Sequence, residues 1–150
     1  MDDKKRLLAF LKSFQLMILA TAGKSAAAAT VRFGIDDDFN FYIVTPPSTE
    51  HGQHIESNFN VACVIVDTKQ ELKTKKGAQI KGKASRLVDI ESIKNGLIVW
   101  ANGDEATIDL FLENIANGKW SSRIYKITPT EIKWMNEELY GEEGNRTFSF

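Results

Sequence analysis

Between Leu16 and Leu87 the chain carries five β-type runs, the first three parted only by short polar turns. Strands joined by short turns run antiparallel, because a parallel return needs a crossover of about a dozen residues or more. The runs cover 16–22, 25–35, 39–45, 60–67 and 78–87. In the second, Val31, Phe33 and Ile35 share one face while Thr30, Arg32 and Gly34 share the other. Ala26 to Ala29 open that run; four alanines are too few to nucleate a helix, and small side chains let something flat approach the strand. The fourth run is apolar on both faces, which predicts burial on both. Gly82 inside the fifth predicts a bulge or a close backbone contact.

Helical spacing surrounds these runs. Leu7, Leu8, Leu11 and Phe14 predict an amphipathic helix over 3–15, with Asp2 and Asp3 suited to its N-terminal end. Ile90, Ile93, Leu97 and Trp100 form one stripe; Asp104 opens another helix with Ile108, Leu112 and Ile115 inward, ending near Gly118. Two strands follow at 121–128 and 132–135, separated by Pro129-Thr130-Glu131. The tail 141–150 is predicted to be mobile, its Phe148 and Phe150 either docking, as on a second subunit, or fraying. The sum is one α+β domain over 1–150, about six to seven mainly antiparallel strands forming a barrel with flanking helices.

Composition removes several functions. A net charge of -1 gives no long-range attraction to nucleic acid or anionic lipid. Lys73, Lys75 and Lys76 have no interleaved aromatics, so they do not make a nucleic-acid surface. The basic and apolar N-terminus has the outline of a secretory signal, but Lys12, Ser13 and Gln15 interrupt it. A signal wants roughly 7–15 apolar residues in a row. The expectation is a cytoplasmic protein with no membrane span. Cys63, the single cysteine, sits in an apolar run and reads as a buried side chain in a reducing compartment. No nucleophile elbow, phosphate-binding loop or dinucleotide glycine fingerprint occurs.

The stretch 40–55 carries the most chemistry. It reads as a strand, a Pro46-Pro47 stop, the hydroxyls of Ser48 and Thr49, and the first turn of a helix. Open amides at a helix start favour an anion such as phosphate. His51 and His54 stand three apart beside Glu50, but no third strong ligand lies nearby in sequence, so no metal is expected. Trp100, Trp120 and Trp134 read as core or interface aromatics, and Arg32 as either a phosphate anchor or an ion-pair partner at the barrel edge.

With these elements in order, the chain resembles the pyridoxamine 5'-phosphate oxidase-like family, the flavin-mononucleotide-binding split barrels. The resemblance rests on Leu19-Ala20-Thr21, on 41–45 followed by Ser48-Thr49-Glu50-His51, on Gln79-Ile80-Lys81-Gly82-Lys83-Ala84, and on 125–134. It implies a homodimer with FMN in clefts between subunits. Backbone groups of Thr30, Val31, Arg32 and Phe33 are then expected against the flavin ring, Thr45, Ser48, Thr49 and His51 around the phosphate, and Gln79 among the cofactor contacts. Glu50 and His51 stand where the family favours basic residues, and Ala29 and Gly34 replace a basic pair on the second strand. A charge-assisted hydrogen bond to phosphate contributes about 1.5–3 kcal/mol, and histidine supplies it only when protonated. The resemblance implies a small flavoprotein oxidoreductase of unspecified substrate, though not one oxidising pyridoxamine phosphate itself. Two alternatives stand beside it: a non-catalytic module carrying flavin, haem or deazaflavin, and a cofactor-free dimer binding another small molecule.

Overall fold

The computed structural model describes residues 2–150. Helix α1 (Asp3–Lys12) precedes strands β1 (Leu16–Ala22), β2 (Ala26–Ile35) and β3 (Phe41–Thr45). Helix α2 (Glu50–Ser57) leads into β4 (Asn60–Val66) and β5 (Lys76–Arg86). Helices α3 (Ile90–Trp100) and α4 (Glu105–Ala116) come next, then β6 (Arg123–Asn136), the short α5 (Glu137–Tyr140) and β7 (Asn145–Ser149).

Every strand pair is antiparallel, in the order β3-β2-β1-β4-β5-β6-β7, and a further β3–β6 pairing closes β1 to β6 into a barrel. The barrel is split. β2 and β3 pair only from Phe33↔Ile43 to Ile35↔Phe41, after which β3 continues along β6 as far as Thr45↔Arg123. Alternation fills the interior: Met17, Leu19, Val31, Phe33, Phe41, Ile43, Cys63, Ile65, Ile80 and Ile127 are all buried in one cluster, which α1 caps with Leu7 and Leu11. A second cluster lies outside the wall, where Leu97 of α3 and Phe111 of α4 pack on Tyr42 and Ile124.

Four expectations are corrected. Helix α1 stops at Lys12, not residue 15, because the Ser13 hydroxyl and amide both turn back onto the carbonyl of Phe10. Segments 121–128 and 132–135 are one strand: the register shift opposite Lys81/Gly82 absorbs the irregularity around Pro129, and the ladder continues. A Cβ on Gly82 would stand 2.7 Å from the Thr128 carbonyl oxygen, so the predicted close contact is there. β4 is not buried on both faces; Ala62, Val64 and Val66 point outward, and Val64 is 41 % exposed. The tail adds a strand, and its phenylalanines dock on their own chain. β7 pairs with β6, Phe148 is in the main core, and the Phe150 ring lies 5.0 Å from that of Phe39. Tyr140 and Arg146 both donate to the Asp3 carboxylate, tying this end of the chain to α1. Among the described residues, no helix is long and apolar enough to cross a membrane.

Candidate functional site

The corner between β3 and α2 is built by local hydrogen bonding. After Thr45, Pro46 and Pro47 end the ladder. Thr49 then caps α2, accepting from the Gly52 amide at 3.1 Å while its hydroxyl donates to the Pro46 carbonyl at 2.8 Å. With Gly52 and Gln53 bonded to Thr49, the amides of Glu50 and His51 are the open donors of the first turn. A Cβ on Gly52 would lie 2.7 Å from the Pro46 carbonyl oxygen, so only glycine lets α2 sit this close to the prolines. At its far end the Glu56 carboxylate accepts from Arg86 and from the buried Tyr125 hydroxyl, which fixes the helix against β5 and β6.

The two histidines turn to different partners. His51 Nε2 is 2.7 Å from Thr45 Oγ1. Burial lowers the His51 pKa from its ordinary value; Glu50 opposes that shift, and His54 adds to it. His54 is buried beneath the β1–β2 turn, with Nδ1 2.9 Å from Thr21 Oγ1, and a Cβ on Gly23 would stand 2.5 Å from its ring. The Glu50 carboxylate accepts from Ser25 Oγ at 3.2 Å and lies 3.9 Å from His54 Nε2. The acid that departs from the family pattern is thus turned toward other groups.

The expected residues fall into three sets. Thr45, Ser48, Thr49 and His51 come together at the corner, although Thr49 spends its hydroxyl on the helix itself. On β2, Val31 and Phe33 point into the core, so only their backbone is available, while Thr30 and Arg32 face outward. Among the described residues Arg32 makes no ion pair: its guanidinium donates to Gln15 at 2.9 Å, and its carbonyl accepts the Trp100 indole N–H at 3.3 Å. Gln79 is not at the corner. It sits on the outer face of β5, in a row that register defines as Thr30, Ile18, Val64 and Gln79, continuing to Lys133 and Thr147. That row runs beside Ala28, Ala20 and Ala62, and with Leu16 and Val66 makes an exposed apolar face.

Sequence reasoning missed two things. One is the role of His54, whose burial depends on Gly23, a turn residue distant in sequence. The other is the α3 terminus on β2: a Cβ on Gly34 would meet the Val99 carbonyl oxygen at 2.2 Å, which is why a larger residue is absent there. Trp100 thereby borders a groove of about 800 Å³ that also takes in Arg32, Lys12 and Asp36.

A sequence profile described as pyridoxamine 5'-phosphate oxidase matches residues 3–135. No curated protein matches the sequence significantly. Among solved structures, the fold is similar to a Clostridium acetobutylicum protein related to general stress protein 26, of the pyridoxinephosphate oxidase family. That pair shares 18% identity with TM-score 0.70, covering 99% of this chain and 97% of the other. It is also similar to a haem-binding protein from Mycobacterium smegmatis, at 14% identity and TM-score 0.71, covering 98% of this chain and 57% of that one. Campylobacter jejuni ChuZ is similar at 15% identity and TM-score 0.72, covering 97% of this chain and 58% of that one.

Proposed function

The chain belongs to the pyridoxamine 5'-phosphate oxidase family, and from that premise we propose that it is a flavin-mononucleotide-binding oxidoreductase working as a homodimer. The observation that carries this reading is the β3–α2 corner, where two open helix amides and the His51 imidazole meet beside the split in the barrel. These donors suit a phosphate monoester: the amides at any pH, His51 once protonated. The Glu50 carboxylate is turned to Ser25 and His54, and its charge also favours the protonated form of His51. Bound FMN would supply hydride or single-electron transfer; the protein orients it and tunes its surroundings. The backbone of Thr30 to Phe33 borders the corner on the split side, next to small outward side chains that a flat ring can approach.

The exposed row supports the dimer. Ile18 and Val64, 43 % and 41 % exposed, are the apolar part of that row between Thr30 and Gln79, a face that a second copy would cover. A two-fold axis between them, parallel to the strands, sets Thr30 of one copy against Gln79 of the other. Within one protomer those residues are three strands apart, about 14 Å at the usual strand spacing. Gln79 thus serves the cofactor of the second copy.

The test is the visible spectrum of the purified protein, then FMN titration of the wild type and His51→Ala. Saturable quenching that weakens in the variant supports the reading, and absence of saturable quenching would falsify it. Reoxidation by candidate acceptors after reduction with nicotinamide donors then separates an enzyme from a carrier.

A further inference from the structure

A second cavity, of about 460 Å³, opens on the outer side of β3 and has no role in the flavin reading. Its walls are Val44, Pro46 and three aromatic rings, Trp100, Phe111 and Trp120, and Lys119 stands at its mouth. The rings form a chain, Trp100 to Phe111 at 6.4 Å and Phe111 to Trp120 at 6.3 Å. Its size is within the range of small-molecule sites, roughly 300–1,000 Å³.

The outer wall is held in place by its own loop. Gly118 takes φ +76 to end α4, the Lys119 amide donates to Asn117 Oδ1 at 2.9 Å, and the Trp120 amide donates to the Asn114 carbonyl at 3.0 Å. Asn114 is itself buried, its side chain bonded to Leu110 at 2.7 Å. Arg123 clamps the following carbonyls of Ser121 and Ser122 at 3.1 and 2.9 Å. An indole 38 % exposed on a segment fastened at each step is a preorganised surface.

Charge decides what it takes. An aromatic wall by itself also suits a quaternary ammonium. Here the Lys119 ammonium is at the mouth, no acidic residue lines the cavity, and among the described residues Lys119 has no carboxylate partner within 4.0 Å. We propose that this cavity binds a small aromatic carboxylate, its ring against the wall of Trp100, Phe111 and Trp120 and its anionic group at Lys119.

Calorimetric titration of the protein as purified, with indole-3-acetate, indole-3-acetamide and tetramethylammonium chloride, tests this. Expected is one saturable site for indole-3-acetate, weakened about fivefold by Lys119→Ala, on the scale of a partly exposed charge pair. Indole-3-acetamide should bind equally to wild type and Lys119→Ala. Trp120→Ala should abolish both, with Trp120→Phe retaining part of the affinity if the alanine variant fails to fold. Three results would overturn the proposal: no saturable site for indole-3-acetate, as when a second copy covers the cavity; equal affinity for tetramethylammonium; or an indole-3-acetate affinity unchanged in Lys119→Ala.

Discussion

His51 Nε2 lies 2.7 Å from Thr45 Oγ1, so the last residue of β3 is tied to the first turn of α2 across the two prolines. Burial lowers the His51 pKa in the folded chain, so the unfolded chain binds its proton more tightly. The stability that neutral His51 contributes is complete above the unfolded pKa, about 6.5, and is lost as pH falls through it toward the lowered folded value. Thermal melts from pH 8 to pH 5 should show this decline, and His51→Gln should flatten that part of the curve. An unchanged slope in the variant would assign the decline to another group.

A phosphate at the corner reverses the preference, because a dianion stabilises the imidazolium. Binding should then take up a proton, and FMN affinity should rise as pH falls from 8 to 6.5. Fluorescence titration of the wild type and His51→Gln checks it. A wild-type affinity flat across that interval places the phosphate away from His51.

Thr49→Ala removes the acceptor of the Gly52 amide. Loss of such a cap costs about 1 kcal/mol, within a usual range of roughly 0.5–2. Urea unfolding measures it. Because the hydroxyl already donates to Pro46, flavin affinity should fall far less than in His51→Ala.

Val64→Glu places a charge at the centre of the outward apolar face without touching the barrel interior. Sedimentation velocity should show the dimer dissociating, with flavin lost at the same protein concentration. A dimer that survives the substitution is built on another face.

The two terminal phenylalanines should separate clearly. Phe148 is 7 % exposed within the core, and its replacement by alanine should cost about 3–5 kcal/mol. Phe150 is 44 % exposed, its ring packed on Phe39 and under the Lys4 ammonium, so replacement by alanine should cost about 1 kcal/mol. Denaturant midpoints of the two variants compare them directly.

Periodicity made most of the barrel legible, because alternation in β2 and β5 and the short turns between β1, β2 and β3 are local properties. It failed where a residue's surroundings come from distant chain. The two apolar faces of β4 were read as two-sided burial, yet a barrel wall has only one inside, and Val64 is outside it. Phe148 alternates with Phe150 as any edge strand would, but nothing local says that β6 extends far enough to receive it. At the corner, Thr49 was readable as a cap, whereas the partners of Arg32 and His54 were not. Gln15 and Trp100 claim one, Thr21 and Gly23 the other, and those meetings follow from barrel closure.

Closure itself rests on β6, which completes the wall against β3 with its first residues and carries β7 with its last. Phe41↔Ile127 and Thr45↔Arg123 join segments that emerge from the ribosome far apart in time. Until β6 appears, β3 has no second neighbour and the nascent sheet has open edges, the condition in which chains pair with one another. Such distant pairings also slow the folding search. The outer helices α3 and α4, made just before β6, cover one face of this unfinished sheet and leave the edge that β6 must reach. Most of this protein's exposure to misassembly therefore falls before a single late strand is in place.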